Sequence, residues 1–305
     1  MDALAPLIAS AINAGTPLML AALGLLINEK SGVINLGAEG MMLVAAVVGF
    51  AITVHTDSIT LGFAAGALAG MFMAGFFAWL TVWLGANQIA TGLALSLFGS
   101  GASAYIGISY VGDTLKSGGY GIPLLKDIPF VGEALFSQHP MVYLSLLLCL
   151  GIFWFLHRSR AGLVLRAVGE SPSSAHSLGY DVRRIRLAAL LFGGACCGMA
   201  GAFMSLVYTP MWVEDMVAGR GWIALALTTF ATWRPGRVLI GAYLFGGITI
   251  LTYHMQALGV PIASQLLSML PYLATILVLV LISRNANWIR LNMPASLGKN
   301  FNPNT

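Results

Sequence analysis

Long apolar runs separated by short polar turns are the feature that most constrains this fold. Nine such runs lie at about 4–27, 40–54, 59–84, 88–110, 140–157, 187–208, 221–233, 238–256 and 264–283. Charged residues make up only 9% of the chain and hydrophobic residues 58%, whereas soluble domains carry roughly 25% charged residues. A soluble protein of 305 residues could not cover this much apolar surface. The sequence therefore predicts an all-α, polytopic membrane bundle with about nine transmembrane helices, within a range of eight to ten.

The placement of Lys and Arg predicts an orientation. Residues 158–186 hold six of the fifteen basic residues and only two acids, and short Arg-rich loops stay on the cytoplasmic side of a membrane. The turn 233–237 and the tail after residue 283 are also basic, whereas the charges of 111–139 balance. We therefore expect 111–139 to be an external loop, the N-terminus to lie outside and the C-terminus inside.

Two segments interrupt this regular pattern. Residues 221–233 are too short for a core of about 30 Å, which takes about 20 helical residues, and residues 32–40 contain three glycines and one acid. Gly-interrupted segments in opposite halves are typical of an inverted repeat with a solute path at its interface. Two ordinary loops that dip into the lipid headgroups would give the same pattern, and the residues leave both interpretations open. We expect Glu39 and Arg220 to be gating or structural groups near opposite ends of the path, rather than substrate ligands.

The basic loop 158–186 carries helix signals of its own. Ser171 can cap a helix N-terminus, Pro172 suits the first helical position, and Gly179 suits the left-handed residue that ends a helix. The helix between them would have about two turns, which is too short to be stable alone in water. The pattern favours a short helix held by a partner protein, although a solvated basic loop that only sets the orientation would also fit.

Small residues repeat every fourth position in several runs, which predicts close packing of helix backbones. The rows are Gly62, Gly66, Gly70 and Ala74; Gly193, Cys197 and Gly201; and Gly99, Ser103 and Gly107. The cysteines all lie within apolar runs, at Cys149, Cys196 and Cys197. We therefore expect them to pack as small apolar residues and not to form disulfides or bind a metal.

Several absences restrict the function. The nine apolar runs contain no Asp, Glu, Lys or Arg, and the chain has no phosphate-binding loop, HExxH, CxxC or GxSxG motif. The sequence therefore predicts no catalytic residue, metal, cofactor or nucleic-acid partner, and no ATP hydrolysis by this chain itself. Uncharged polar groups are left to line a solute path, and interhelical hydrogen bonds would explain each of them equally well. The candidates for the substrate path are Asn35, Asn87, Gln88 and Thr91.

Three stretches resemble a known family. Residues 29–42 are similar to a signature of permease subunits in the nucleoside branch of ribose-type ABC importers. Residues 166–172 resemble the cytoplasmic coupling loop of that family, whose usual form RAVGENP has Asn where Ser171 stands here. Residues 218–226 and the Arg-Pro-Gly turn at 234–236 also match the nucleoside branch.

The resemblance implies that residues 1–305 form a single transmembrane permease domain in the inner membrane of a bacterial cell. It assigns coupling to an ATPase to Gly169, Glu170, Ser171, Pro172, Ala175 and Gly179. The implied partners are two ABC ATPase subunits, a second permease that is often a different chain, and an external substrate-binding protein. The implied substrate is a small neutral polar solute, a nucleoside first and a ribose-like sugar as the alternative. A sodium-coupled carrier and a passive channel or scaffold subunit remain open from the residues alone.

Overall fold

The computed structural model describes residues 4–115, 132–259, 263–283 and 292–302. Within these ranges the chain forms α-helices and no β-strand, apart from one isolated bridge between Thr114 and Met211. The helices are α1 (Leu4–Lys30), α2 (Ala38–Thr56), α3 (Ile59–Ala78), α4 (Gln88–Gly107), α5 (Pro140–Arg158), α6 (Arg160–Glu170), α7 (Pro172–Ser177), α8 (Val182–Phe203), α9 (Arg220–Phe230), α10 (Pro235–Ala257) and α11 (Ser264–Ser283). One π-helical turn extends α3 to Trp83 and another extends α8 to Tyr208.

Seven helices of the described residues are long and apolar enough to cross a membrane, namely α1, α2, α3, α4, α5, α8 and α10 with their extensions. This confirms the prediction of an all-helical membrane protein. The apolar run 221–233 forms only the 11-residue helix α9, and the run 264–283 forms α11, with Pro271 inside it. The number of nine spans and the orientation stay predictions. Most of the predicted external loop, 116–131, lies outside the described residues, as do Arg284 and Arg290.

Helix α8 lies at the centre of the bundle and packs against α1, α2 and α3. Its Gly194 and Gly198 meet Gly66 and Gly70 of α3, so closely that a Cβ atom added to Gly70 would overlap the carbonyl oxygen of Gly194. Because lipid supplies no hydrophobic drive between helices, such close backbone approach is a main source of helix association. The predicted row of small residues on α3 is confirmed at this interface.

The cysteines belong to the same packing. All three are free and buried, and Cys196 packs against Gly24 of α1, where an added Cβ atom would collide with the cysteine side chain. On the other side of α8, Gly201 lies against the backbone of Met42 in α2. The interpretation of the cysteines as small packing residues is confirmed.

We predict that Gly70→Ala destabilises the protein while Gly101→Ala does not. The added methyl group of Gly70→Ala forces α3 away from α8, and overpacking of this kind costs about 1–3 kcal/mol. Gly101 is an exposed helical glycine with nothing within 4 Å of its added Cβ atom, so it is a matched control. Thermal unfolding of the purified protein in detergent measures the difference. Equal unfolding temperatures would show that the two helices are not this close.

Candidate functional site

The chain between α1 and α2 enters the bundle without helical structure. At its start, the backbone N–H of Ile34 donates to Oε1 of Gln88, the first residue of α4, at 2.9 Å. At its end, Gly40 lies against Leu95 and Gly99, about half-way along α4. The chain from Ile34 to Gly40 therefore runs along α4 from its first residue to its middle, and α2 then continues across the bundle. Non-helical backbone at such depth is tolerated only where protein or a water-filled cavity satisfies its polar groups.

Helix α9 begins at the same depth. The carboxylate of Glu39 accepts hydrogen bonds from two backbone N–H groups of the α9 N-terminus, that of Gly219 at 2.8 Å to Oε1 and that of Gly221 at 2.7 Å to Oε2. A carboxylate in this position satisfies N–H groups that have no partner within the helix and opposes the positive end of the helix dipole. We call this contact between α2 and α9 the junction.

The junction corrects one prediction. Glu39 and Arg220 were expected near opposite ends of the path, but the N-termini of α2 and α9 lie side by side, with Arg220 as the first residue of α9. The reason is the length of α9. Its 11 residues span about 16 Å, only half of the core of about 30 Å, so its start lies near the middle of the bundle and not at a surface.

A second carboxylate holds the far end of α9. Glu29, in the last turn of α1, accepts hydrogen bonds from the Thr228 hydroxyl at 3.0 Å and from the Trp233 indole N–H. All three side chains are buried. The half-length helix α9 is thus fixed at its start by Glu39 and at its end by Glu29, and these acids lie in the two helix ends that flank the α1–α2 segment.

Glu29 and Glu39 lie within helices, although the nine apolar runs contain no acid. Helix α1 continues to Lys30 and includes Glu29, and α2 begins at Ala38 and includes Glu39. The apolar runs stop short of both residues, so hydropathy alone placed the acids in a turn. Their partners lie about 190 residues later in the chain, and no local sequence signal identifies them.

Three of the four predicted substrate-path residues hold backbone in place. Asn87 caps α4 by accepting a hydrogen bond from Ala90 N–H at 3.0 Å. Asn35 accepts one from Gly37 N–H at 3.0 Å. Gln88 bonds the α1–α2 segment, as described above, and its amide nitrogen donates to the Asn300 side chain. Their contribution to a solute path stays a prediction, as does that of Thr91, which lies on the first turn of α4.

The short helix in the basic loop forms as predicted. The Ser171 hydroxyl caps α7 by accepting a hydrogen bond from Ser174 N–H at 3.3 Å. Gly179 follows with a φ of +89°, in the left-handed region. Ala175 is buried against Val168 of α6. We call α6 and α7, residues 160–177, the docking region.

Exposed apolar side chains follow immediately after the docking region. Leu178 is 78% exposed and Tyr180 is 43% exposed, directly after α7. The α7 residues Ser173, Ser174 and His176 are also exposed.

A C-terminal segment that sequence reasoning missed joins the docking region to the rest of the chain. The backbone N–H and the hydroxyl of Ser296 both donate to the carbonyl oxygen of Gly169, at 3.0 and 2.6 Å. Gly298 N–H donates to the carbonyl oxygen of Gly32 at 3.1 Å, and the Asn300 amide donates to that of Gly85 at 2.6 Å. Residues 292–302 therefore connect the docking region to the α1–α2 segment and to the α3–α4 turn.

The buried side chain of Arg186 completes this connection. Arg186 is 2% exposed. Its guanidinium group donates to the backbone carbonyl oxygens of Ser31 at 3.2 Å and Lys299 at 3.1 Å. It also reaches the hydroxyl of Ser296 at 3.4 Å. Arg186 was expected only to mark the cytoplasmic side; its observed role is to bond α8 to the end of α1 and to the C-terminal segment.

These features define a polytopic membrane protein built around broken helices that meet inside the bundle, an arrangement that is common in transport proteins. Comparison with known families agrees. The family described as "Branched-chain amino acid transport system / permease component" matches residues 7–282. The chain belongs to this family of ABC-transporter permease components.

Named relatives cover nearly the whole chain. A putative glucose ABC transporter permease of Haloferax volcanii is 39% identical, over 99% of each chain. A nucleoside ABC transporter permease of Lactococcus lactis is 31% identical, over 90% of this chain and 91% of its own. A guanosine ABC transporter permease of Bacillus subtilis is 30% identical, over 86% and 87%. No solved structure matches this chain.

We predict that Glu39→Gln destabilises the protein. A glutamine side chain offers only one acceptor oxygen. Its NH₂ group would point at the second backbone N–H of the α9 N-terminus, and two donors cannot form a hydrogen bond with each other. Hydrogen bonds to a charged group are worth about 1.5–3 kcal/mol, so a loss of that order is expected in thermal unfolding in detergent. Glu214→Gln, in the exposed loop before α9, is the control. An unchanged unfolding temperature for Glu39→Gln would show that the carboxylate does not hold α9.

Proposed function

We propose that this chain is the membrane-spanning subunit of an ATP-driven importer for nucleosides, with residues 1–305 as one permease domain. The docking region carries the proposal, because it is an ordered helix pair with an exposed surface and an internal attachment to the helix break. ATPase subunits would bind this surface. The resemblance to nucleoside permeases, at 30% and 31% identity, supports the choice of solute.

The partners follow from the same reasoning. An ATPase subunit would contact Glu170, Pro172 and the exposed face of α7, while Gly169, Ala175 and Gly179 would hold the backbone of the docking region in shape. A second permease, as a different chain or another copy, would complete the path, and an external binding protein would deliver the solute. This arrangement places the docking region in the cytoplasm and the protein in the cell membrane, which is the inner membrane in a bacterium with two membranes.

A sugar is the second candidate solute. The relative with 39% identity is named as a putative glucose permease, and a sugar shares the neutral, hydroxyl-rich surface of a ribose. Reconstitution of the complete transporter in liposomes separates the two. ATP-dependent uptake of radiolabelled guanosine or adenosine without uptake of glucose supports the nucleoside, and the reverse result supports the sugar. Failure of the chain to co-purify with an ATPase subunit would reject the importer itself.

We predict that Gly179→Val uncouples the transporter and that Gly259→Val does not. Both glycines have a left-handed φ, +89° and +67°, and both have open space around an added Cβ atom. The two substitutions therefore impose a similar backbone strain of about 1–2 kcal/mol at opposite ends of the bundle. Gly179→Val should reduce ATPase co-purification and solute-stimulated ATP hydrolysis. If both variants behave like the parent, α7 is not the coupling element.

A labelling experiment tests the orientation. Ser174→Cys in α7 and Glu214→Cys before α9 both create exposed thiols, and the three native cysteines are buried, so the parent chain should stay unlabelled. An impermeant thiol reagent applied to intact cells should label Glu214→Cys alone. Ser174→Cys should react only in inside-out vesicles. Labelling of both variants from the same side would contradict the orientation and the cytoplasmic docking region.

A further inference from the structure

A polar cavity of about 340 Å³ lies between α9, α10 and α11, beside the junction. Its lining includes Arg220, Phe245, Thr249, Tyr253, Gln256 and Tyr272. A larger cavity of about 670 Å³ between α5, α6 and α8 is lined almost entirely by apolar side chains. The smaller cavity has the size of a small-molecule site, for which 300–1,000 Å³ is usual, and the mixture of aromatic and polar groups that such sites carry.

The cavity lies on the side of the junction that faces away from the docking region. Arg220 begins α9, next to Glu39, whereas Thr249 and Gln256 lie on the last turns of α10. Helix α10 starts at the other end of the bundle, beside Trp233 and Glu29. In the proposed orientation the cavity therefore occupies the outer half of the membrane, where a solute arrives from a binding protein.

Polar side chains in this position require a water-filled or protein-covered surface. Tyr253 is 52% exposed and Tyr272 is 47% exposed in the single chain, and Gln256 is also exposed. Lipid cannot satisfy an amide or hydroxyl group in the hydrocarbon core. The cavity therefore faces the solute path that this chain would form with the second permease.

The hydrogen-bonding groups of the cavity are complementary to a neutral solute. The Thr249 hydroxyl donates to the carbonyl oxygen of Phe245 at 3.0 Å, so its lone pairs remain for a hydroxyl group of the solute. The Gln256 amide offers both a donor and an acceptor. The Arg220 guanidinium lies over the Tyr208 ring, 5.3 Å from its centroid. Its Nη1 atom donates to backbone carbonyl groups, at 3.3 Å to Val217.

Aromatic rings supply the remaining surface. Phe245 and Tyr272 pack edge to face, with centroids 6.3 Å apart and planes at 86°, so the Tyr272 ring is held in place. Tyr253 lies on the same cavity, and its exposed side chain can present a ring face. Every nucleobase has a flat π face that stacks on such rings, whatever its pattern of donors and acceptors.

We propose that this cavity binds the nucleoside in transit, with Tyr253 and Tyr272 stacking on the base and Gln256 hydrogen-bonding to its edge. Glu39 takes no part, because it bonds the α9 N-terminus and is not among the residues that line the cavity. The proposal deepens the proposed function and rests on it. It makes the permease a second point of selection, after the external binding protein.

The cavity is tested by measuring nucleoside uptake into liposomes that contain the complete transporter, with the external binding protein saturated with nucleoside. Tyr253→Ala should lower the rate of nucleoside uptake about fivefold or more, which is the lower range for the loss of one base–aromatic stack. Tyr253→Phe keeps the ring and should retain the parent rate. Tyr105→Ala removes a tyrosine that is 80% exposed on α4, far from the cavity lining, and should also retain it.

The outcomes distinguish a failure of the proposed binding cavity from a failure of the proposed import function. Retained nucleoside uptake in both Tyr253→Ala and Gln256→Ala would overturn the cavity while leaving the proposed function intact. Absence of ATP-dependent nucleoside uptake in the parent would instead reject the proposed function. Reduced uptake of adenosine and guanosine with unchanged ATPase co-purification would support the cavity. An equal loss in Tyr253→Ala and Tyr253→Phe would contradict stacking, because the ring is present in only one of them.

Discussion

The structure depends on the need to satisfy the backbone polar groups of a helix that begins inside an apolar bundle. The turn before α9 accepts a hydrogen bond from Arg220 N–H at the carbonyl oxygen of Val217, at 3.1 Å, but the N–H groups of Gly219 and Gly221 need another acceptor inside the bundle. Glu39 satisfies two of these N–H groups from a neighbouring helix. The glycines make this possible, because a Cβ atom on Gly221 would collide with the backbone of Glu39. The carboxylate of Glu39 and the small residue Gly221 thus allow α9 to begin inside the bundle, where lipid could not satisfy its N–H groups.

Glu39 lies at the junction but is not among the residues that line the cavity. Its carboxylate bonds the α9 N-terminus and opposes the positive end of the α9 dipole. Arg220 is held in turn by the Tyr208 ring and by backbone carbonyl groups. The Arg220 guanidinium lines the cavity but is already bonded within the protein, and the other polar groups of the lining are hydroxyl and amide groups.

The sequence predicted the helical membrane class, the glycine rows and the short helix from Ser171 to Gly179, because these depend on local composition and spacing. It did not predict the junction, since Glu39 and Gly219 are separated by 180 residues and the depth of a broken helix is not visible in hydropathy. The assignment of Asn35, Asn87 and Gln88 to a solute path used residue type alone. Each of these side chains forms a hydrogen bond with backbone or with another side chain of the protein. The polar residues of α10 that line the cavity, Thr249, Tyr253 and Gln256, were not predicted, because they lie within an apolar run.

A series of hydrogen bonds connects the docking region to the junction. Residues 292–302 bond Gly169 beside α7, Gly32 before α2, and Gly85 before α4. Gln88 then bonds the backbone at Ile34, on the segment that leads directly to Glu39. A rigid displacement of the docking region therefore cannot leave the α1–α2 segment in place unless these hydrogen bonds break. Glu39 holds the start of α9 and Glu29 holds its end. A displacement of the α1–α2 segment would therefore also displace α9, which lines the cavity.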